Sequence, residues 1–520
     1  MKIPNTMMLA NAGSGKTYAL TTRFVTLLAN GVNPEKIAAL TFTRKAAGEF
    51  LDAVFHRIAE AAIDPGKLIT LRKDTGCTDL DEGKCLEMLE KLSLKAGMLR
   101  MGTIDSLFAR IAKAFPLESG LPGEFQMIGD SELKHAREEA LAAVFREQTD
   151  GEGLEGFVDL VRRASRRGGE VDVFTTLYKI LVSRHEAYLQ TPPQAGWGNP
   201  KTIWPDGNTM LGGGDPRGAA EDLRSAIKAA HPDLTDAVSE LWDSWLDSAA
   251  SFDAGKPCTE VLEGFIEKLL APRADKSTGE SYIPVGKGNN TRVYLLGNVA
   301  GARLRLLHVL LKPAFEKLLG RSAGQYDFME RYEQVYDVRT RSSGLLTFQD
   351  VTDLLAAQAG DQRWMGSVGY RLDGIIQHYL LDEFQDTSRQ QWKVLSPFVG
   401  EVLQDTEGDR SLFYVGDTKQ AIYSWRGGDP ELFFEIRDHY NGESECIIEK
   451  PLSVSQRSAC EIIQIVNAVF GDIDSVSGPL GYPGATVSNW KRAFTKHLVA
   501  TRNEGLEGYV RWVQAEDNGQ

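Results

Sequence analysis

The residues with the clearest chemistry lie in a glycine-rich run near the start of the chain. Residues 10–17 read Ala-Asn-Ala-Gly-Ser-Gly-Lys-Thr. Glycines let the backbone curl until successive N–H groups face phosphate oxygens, while Lys16 can reach the β- and γ-phosphates and Thr17 can bind Mg²⁺. Ala10 stands where the strict pattern has Gly, and a glycine-rich turn without a ligand is the alternative. We predict a phosphate site formed by Ala12, Gly13, Ser14, Gly15, Lys16 and Thr17.

Two adjacent carboxylates later in the chain supply the acidic groups for metal and water that a phosphate loop lacks. An apolar run that begins at Tyr379 ends in Asp382 and Glu383, and the carboxyl ends of parallel strands are where such sheets bind ligands. We predict that Asp382 faces the metal and that Glu383 orients or deprotonates the attacking water. The alternative is an acidic turn in which Asp386 and Thr387 cap a helix. The phosphate loop disfavours it, because the two segments have different tasks in one reaction.

The elements that must position these residues alternate between strands and helices. Such alternation around a phosphate loop predicts an α/β fold with a RecA-like parallel sheet. The pattern stops near Pro116 and returns near Leu346, so a large insertion, mostly helical by its periodicity, splits the sheet domain. We predict strands within 36–43, 98–104, 374–381 and 410–416 and helices at 44–62 and 105–114.

The same pass along the chain gives a domain organisation. We predict that residues 1–115 and 344–445 form one ATPase lobe and that 116–343 form the helical insertion. Polar, glycine-rich stretches within the insertion, at 191–218 and 272–301, are predicted to be loops. A new unit begins near 446, which we interpret as the start of a second RecA-like lobe that 446–520 leaves incomplete.

Composition excludes few functions and favours a cytoplasmic protein. The chain has 520 residues and a net charge of −14, which is only weak evidence against a nucleic-acid partner because a local groove can be basic on an acidic protein. The five cysteines are scattered without metal spacing. No run approaches ~18 apolar residues, so we expect no membrane span. The apolar run before the phosphate loop is too short for a signal peptide.

Six segments, in order, resemble the motifs of superfamily 1 helicases of the UvrD/Rep/RecB type. The large insertion is more similar to that of the AddA and RecB helicase–nuclease subunits than to compact UvrD. The matching segments are motif I at 10–17, Ia at 39–47, Ib at 102–108, II at 381–387, III at 415–427 and IV at 452–458.

This resemblance implies an ATP-dependent 3′–5′ DNA helicase or translocase of recombination or repair, of which the chain holds the N-terminal ATP-binding part. ATP and Mg²⁺ are the implied cofactors, single-stranded or partly duplex DNA is the implied partner, and a further expected partner is a second helicase/nuclease subunit. Gln420 would sense the γ-phosphate and Arg457 would be an arginine finger. An ATP- and single-strand-DNA-binding module without turnover of its own is the alternative; a P-loop kinase or other metabolic enzyme is disfavoured because it leaves residues 420–425 unexplained.

The resemblance also assigns contacts with DNA. Aromatic rings that stack on bases contribute ~1–3 kcal/mol each whatever the sequence, and hydroxyls can bond backbone phosphates. Core packing is the alternative for the aromatic residues. A basic cluster at 162–167 is read as a solvated helix face, with duplex phosphate contact as its alternative. The implied DNA residues are Thr41, Phe42, Thr43, Thr103, Ser106, Tyr423 and Trp425.

Three departures from the family pattern bear on function. Asp105 stands where motif Ib usually has His, so a carboxylate would repel the DNA backbone there. Gln456 replaces the aromatic residue of motif IV that stacks on adenine, and Tyr18 could take over some of this stacking. Motifs V and VI are expected beyond Gln520, so we expect one RecA-like lobe and the beginning of another.

Overall fold

The structure is a computed structural model in which part of the chain is described. The described residues are 3–116, 118, 121, 123–149, 173–191, 197–204, 214–275, 277–285, 291–361, 364, 368, 376–405, 407–424, 427–442, 445–480 and 482–513. Within these ranges, no helix combines the length and the apolar character that crossing a membrane requires.

The elements follow one another in chain order. The strands are β1 Asn5–Ala10, β2 Ile37–Thr41, β3 Arg100–Thr103, β4 Gln126–Met127, β5 Arg273–Ala274, β6 Ser281–Val285, β7 Thr291–Tyr294, β8 Leu345–Leu346, β9 His378–Leu381, β10 Ser411–Gly416, β11 Ile447–Leu452, β12 Val454–Ser455 and β13 Leu498–Val499. The helices are α1 Lys16–Ala29, α2 Arg44–Ile63, α3 Pro65–Thr75, α4 Glu82–Leu94, α5 Ile104–Ala114, α6 Asp130–Thr149, α7 Val173–Gln190, α8 Pro200–Ile203, α9 Pro216–Ala230, α10 Asp236–Ala250, α11 Glu260–Leu270, α12 Asn298–Tyr336, α13 Phe348–Gln358, α14 Arg389–Leu403, α15 Leu432–Tyr440, α16 Cys460–Phe470, α17 Ile473–Leu480 and α18 Gly484–Ala493.

A six-stranded parallel sheet with the order β11-β1-β10-β9-β2-β3 forms the centre of the first unit. Strands β2, β9 and β10 are buried along their whole length, as expected for parallel strands covered on both faces. Side chains alternate between two cores: Leu412 and Tyr414 lie in one, Phe413 and Val415 in the other. The α/β fold predicted from the sequence, with a RecA-like parallel sheet, is confirmed.

The chain divides into two compact units. The first comprises residues 1–129 and 340–520, and the second comprises 130–339. The sequence prediction placed the ends of the insertion at 116 and 343. The parallel pairing of β4 with β8 joins the two passages of the first unit on either side of the insertion.

The second unit is mostly helical, but it contains a sheet that the sequence analysis missed. The stretch 272–301, predicted to be a loop, holds the antiparallel sheet β5-β6-β7. Ile283, Val285 and Val293 are buried against helices of the same unit. Apolar and polar residues alternate over only a few positions in these strands. The glycines and polar residues around them are typical of turns, so the sequence pattern predicted a loop.

A buried histidine lies at the start of β9, on the far side of the sheet from the carboxyl ends of the strands. His378 is 2% exposed, and its Nδ1 lies 2.9 Å from the Ser411 hydroxyl. Burial, followed by the nearby cations Arg23 and Lys36, lowers its pKa from 6.5 to about 4, with a small opposing effect of Asp405. The folded protein therefore holds this ring neutral.

We expect the stability of the chain to fall as pH falls from 6.5 towards 4, because in this window the unfolded state binds a proton that folded His378 does not bind. The full shift in the pKa of His378 would change the free energy of unfolding by ~3 kcal/mol. Urea unfolding at pH about 7.5 and about 5 measures this, and the His378→Gln variant should lose part of the pH dependence. The exposed His56 provides the control: His56→Gln should follow wild type, and equal pH dependence in all three proteins would contradict the prediction.

Candidate nucleotide-binding site

The segments that carry the predicted chemistry follow three neighbouring strands. The glycine-rich loop follows β1, Asp417 follows β10, and Asp382 follows β9, and these strands are adjacent in the sheet. The register pairs Leu9 with Gly416 and Tyr414 with Leu381, so the carboxyl ends of neighbouring strands lie within two residues of one another. The segments therefore meet at the edge where parallel sheets bind ligands.

The loop has the geometry of a phosphate cradle. Gly13 and Gly15 have φ angles of +70° and +94°, which a side chain would strain, and α1 begins immediately afterwards at Lys16. The Ser14 hydroxyl is buried and has no hydrogen-bond partner among the described residues. The loop and the N-terminus of a helix of 14 residues together favour an anion.

A cavity of about 530 Å³ lies over this loop. It brings Glu383, Gln420 and Arg457, which the sequence analysis selected from three separate segments, to the phosphate loop. The backbone N–H of Gln456 donates to the carbonyl of Gly13 at 2.8 Å, which fixes the motif IV segment beside the loop. The lining residues are Ala12, Gly13, Ser14, Gly15, Lys16, Thr17, Glu383, Gln420, Gln456 and Arg457.

Lys16 and Glu383 form an ion pair across the cavity. The ammonium of Lys16 lies 2.5 Å from Oε2 of Glu383, and the two side chains are 14% and 34% exposed. An incoming phosphate would compete with this carboxylate for the same ammonium. The positive and negative charges of the pair thus offset one another.

Asp382 is suited to a cation. Its N–H donates to the carbonyl of Leu40, and its Oδ1 accepts from the N–H of Glu383 at 3.0 Å. Burial, and then the charge of Glu383, raises the pKa of Asp382 to about 6, against a smaller effect of Lys16. Its negative charge is therefore destabilised unless a cation binds, and the exposed Thr17 offers a hydroxyl at the start of α1.

Asp382 and Thr17 both offer oxygen atoms to a cation. Among the described residues, no group of three or more His, Cys, Asp or Glu side chains is placed to hold a metal ion. Mg²⁺ usually binds through one or two protein oxygens and completes its shell with substrate phosphates and water. The oxygen donors of Asp382 and Thr17 fit that pattern.

Tyr18 lies beside a different cavity. A second cavity, of about 390 Å³, is lined by Tyr18 and Arg57 among others and shares Thr17 with the first. The Tyr18 hydroxyl donates to Asp74, and the Arg57 guanidinium lies 3.9 Å from the centre of its ring. Burial and this hydrogen bond raise the pKa of Tyr18. The tyrosine is thus held on the side of α1 that faces α2 and α3.

Comparison with known families agrees with this geometry. The family model of the UvrD/REP helicase N-terminal domain matches residues 4–195 and 304–441, which is more than half of the chain. The chain belongs to the UvrD/Rep helicase family. The matched ranges contain motifs I, Ia, Ib, II and III.

Similar proteins are named ATP-dependent helicase/nuclease subunits, of the type designated A. The protein of that name from Clostridioides difficile (strain 630) is 22% identical over 90% of this chain and 37% of its own length. That of Streptococcus thermophilus (strain ATCC BAA-491 / LMD-9) is 24% identical over 90% and 38%. That of Staphylococcus haemolyticus (strain JCSC1435) is 22% identical over 92% and 39%. The chain spans less than two fifths of the length of these relatives.

The UvrD/Rep motifs assigned to DNA lie at the same edge of the sheet. The rings of Phe42, after β2, and Tyr423, after β10, pack with their centres 4.4 Å apart. Trp425 lies outside the described residues, as does the basic cluster at 162–167. Two half-buried rings thus adjoin one another where loops from two strands converge.

The hydroxyls assigned to phosphate contacts bond local backbone in this structure. Thr43 caps α2 and Thr103 caps α5, while the Ser106 hydroxyl donates to the carbonyl of Thr103. Thr41 is 1% exposed, and its hydroxyl donates to the carbonyl of Thr43. Asp105, the departure in motif Ib, accepts a hydrogen bond from Gln391 at 2.8 Å. Thr43, Thr103 and Ser106 keep some exposure, whereas Thr41 is enclosed.

Three side chains within the UvrD/Rep motifs have contacts that the sequence analysis did not anticipate. Asn11, fully buried in motif I, donates to the carbonyl of Thr495. Lys419 of motif III donates to the carbonyl of Ala493 at the end of α18 and pairs with Asp417 at 2.7 Å. Gln385 of motif II bonds to motif III. Their positions inside the motif strings were the available signal, but each of them also has a partner that lies far away in sequence.

We expect Gly13→Ala to destabilise the chain by ~1–2 kcal/mol, because φ of +70° is strained for any residue with a Cβ. The added atom would also lie 3.1 Å from Cβ of Arg457, so motif IV would have to shift. Gly48→Ala is the matched control: Gly48 lies inside α2 with open space around it, so Ala there should stabilise by ~0.5–1 kcal/mol. Urea unfolding of the three proteins tests the prediction, and equal midpoints for Gly13→Ala and wild type would contradict it.

Proposed function

We propose that the chain is the ATP-binding part of an ATP-dependent 3′–5′ DNA helicase that acts in cytoplasmic DNA recombination or repair. One observation carries the proposal: a single cavity unites the phosphate loop with Glu383, Gln420 and Arg457. Membership of the UvrD/Rep family supports helicase activity, and the polarity rests on the resemblance alone. The names of the relatives support a helicase–nuclease setting with a second subunit.

The phosphates of ATP would lie in the loop of residues 12–17. Lys16 would leave Glu383 for the β- and γ-phosphates, because the triphosphate offers it more negative charge than one carboxylate. Glu383, no longer neutralised, would then accept a hydrogen bond from the attacking water and orient it. The ion pair between Lys16 and Glu383 supports this step, because nucleotide binding would then be coupled to the release of the carboxylate.

Thr17 and Asp382 would hold Mg²⁺, which neutralises charge on the phosphates. Arg457, exposed in the cavity, is placed to neutralise charge that develops on the transferred phosphoryl group. Gln420 would contact the γ-phosphate from the motif III side. Tyr18 would stack on the adenine base, since the cavity that it lines adjoins the phosphate cavity at Thr17.

Single-stranded DNA would cross the same edge of the sheet. Phe42, Tyr423 and Trp425 would stack on bases, and Thr43, Thr103 and Ser106 would bond backbone phosphates. Tyr423 and Gln420 lie on one short segment after β10. A base that stacks on Tyr423 would therefore influence the contact between Gln420 and the γ-phosphate. This coupling would convert hydrolysis into movement along DNA.

The division into domains is part of the proposal. Residues 1–115 and 344–445 would be the first ATPase lobe, 116–343 the insertion, and 446–520 the beginning of the second lobe. Within 446–520, the short parallel pair of β12 with β13 forms a sheet apart from the central one and supports a new lobe from β12 onward, whereas β11 pairs with β1 and belongs to the central sheet of the first lobe. The alternative is an ATP- and DNA-binding module without turnover. It predicts that the chain binds ATP and DNA but does not hydrolyse ATP.

We expect the chain to bind ATP in the presence of Mg²⁺ and Lys16→Ala to lower the affinity by ~10–100-fold, which corresponds to the loss of a hydrogen bond to a charged group. Titration of a fluorescent ATP analogue measures the affinity. Lys91→Ala is the control, since Lys91 lies exposed on α4, paired with Glu87 and absent from the cavity lining. Undiminished affinity of Lys16→Ala would exclude the proposed phosphate site.

We expect Phe42→Ala to weaken binding of single-stranded DNA by ~1–3 kcal/mol with little dependence on sequence, and Trp425→Ala to do the same. The affinity should also fall with salt concentration. Fluorescence anisotropy with labelled oligonucleotides at two salt concentrations measures both effects. Phe55→Ala removes a ring from α2 away from this edge and should bind DNA as wild type does. If Phe42→Ala binds normally but unfolds more easily, the ring has a packing role only.

A further inference from the structure

A buried glutamine joins motif II to motif III. Gln385 lies in the short helical turn Phe384–Asp386, two residues after Glu383, and is 1% exposed. Its Nε2 donates to Oε2 of Glu383 at 2.7 Å and to Oδ2 of Asp386 at 3.2 Å. Its Oε1 accepts from the backbone N–H of Asp417 at 3.0 Å. One carboxamide thus contacts both segments that flank the phosphate cavity.

The partners determine the orientation of this carboxamide. The N–H of Asp417 can only donate, so the oxygen of Gln385 must face it, and ionised carboxylates can only accept, so the nitrogen must face Glu383 and Asp386. Both N–H groups and the oxygen are then used. A flipped amide would lose all three hydrogen bonds and turn its oxygen towards two carboxylates.

The carboxamide also lies close against the end of strand β10. A Cβ built on Gly416, the last residue of β10, would lie 2.3 Å from Oε1 of Gln385, so the amide rests directly on the backbone of that strand. Glycine at 416 is what permits this approach. The Asp417 N–H that bonds the amide follows immediately, and the carbonyl of Asp417 accepts from the N–H of Gln420 at 2.8 Å. Gln385 is thereby connected to the beginning of motif III.

The orientation of the Glu383 side chain depends on contacts with its neighbours. Its φ is +48°, the one positive value among the non-glycine residues of the described ranges, and this conformation is strained for a residue with a side chain. Its carboxylate has two side-chain partners here, Lys16 and Gln385. When Lys16 moves to phosphate, Gln385 is the partner that remains.

We propose that Gln385 is a positioning residue that holds the carboxylate of Glu383 in its working orientation once nucleotide has withdrawn Lys16. Through the N–H of Asp417, it also sets that orientation relative to motif III and Gln420. This inference rests on the proposed function, because it assigns Glu383 the task of orienting water. A displacement of about 1 Å in such a group can lower the rate of the chemical step by ~100-fold.

The test uses two substitutions in the full chain. Gln385→Met keeps the length and removes all three hydrogen bonds, whereas Gln385→Glu keeps an oxygen for the N–H of Asp417 and removes the donors to Glu383. Each is made in wild type and in the Glu383→Gln background. Single-turnover hydrolysis at saturating ATP and Mg²⁺ gives the rate of the chemical step, and titration of a fluorescent ATP analogue gives the affinity and shows that the variant is folded.

We expect both variants to hydrolyse ATP ~10–100-fold more slowly than wild type, while the nucleotide affinity of Gln385→Met, which adds no charge, stays close to that of wild type. In the Glu383→Gln background the same substitutions should cause little further loss, because a residue that acts through Glu383 has nothing left to position. A role in stability alone would instead lower affinity and rate together and would add to the effect of Glu383→Gln.

The outcomes separate this inference from the proposed function. If wild type hydrolyses ATP and the Gln385 variants match it, or if their losses add fully to that of Glu383→Gln, the positioning role is wrong and the proposed function stands. If wild type binds ATP without any hydrolysis in a single turnover, the hydrolytic function is wrong, and the positioning role is overturned with it.

Discussion

The parallel pairing of β10 between β1 and β9 is the constraint on which the site depends. The loop after β1 contacts the segments after β9 and β10, which follow hundreds of residues later, because the register brings the ends of neighbouring strands within two residues of one another. A slip of one residue would displace a segment by ~3.3 Å along the strand and turn its side chains to the opposite face. Lys16 and Glu383 would then no longer meet, and Gln385 would lose the N–H of Asp417.

The large insertion leaves this register intact because the two passages of the first unit pair with each other. β4 and β8 pair in parallel where the chain leaves and re-enters the unit. Phe108 of α5 and Leu355 of α13 then lie in one hydrophobic core, although the second unit separates them in sequence. The entropy of closing a loop grows only logarithmically with its length, so 210 intervening residues (130–339) cost little more than a shorter insertion.

What the sequence could predict depended on the range of the interactions. The strands that end at Thr41 and Leu381 are continuous apolar runs followed by motif residues, so their type and position were predictable. The small sheet that contains Ile283 was missed because apolar and polar residues alternate over only a few positions in its strands, and the residues around them have the composition of turns. The hypothesis for Asp382 and Glu383 rested on the adjacent apolar run together with the phosphate loop near the start of the chain. The bond from Gln385 to Asp417 could not be predicted, because it depends on which strands are neighbours.

Charge explains why nucleotide and cation would have to arrive together. Three carboxylates, those of Asp382, Glu383 and Asp386, lie next to the loop, and burial together with Glu383 raises the pKa values of Asp382 and Asp386 to about 6. The single ammonium of Lys16 partly offsets them. A triphosphate that took this ammonium for itself would leave the carboxylates uncompensated in a partly desolvated site, which is unfavourable. A divalent cation at Asp382 would restore the balance, so we expect the acidic edge of the sheet to favour a metal–nucleotide complex over the free nucleotide.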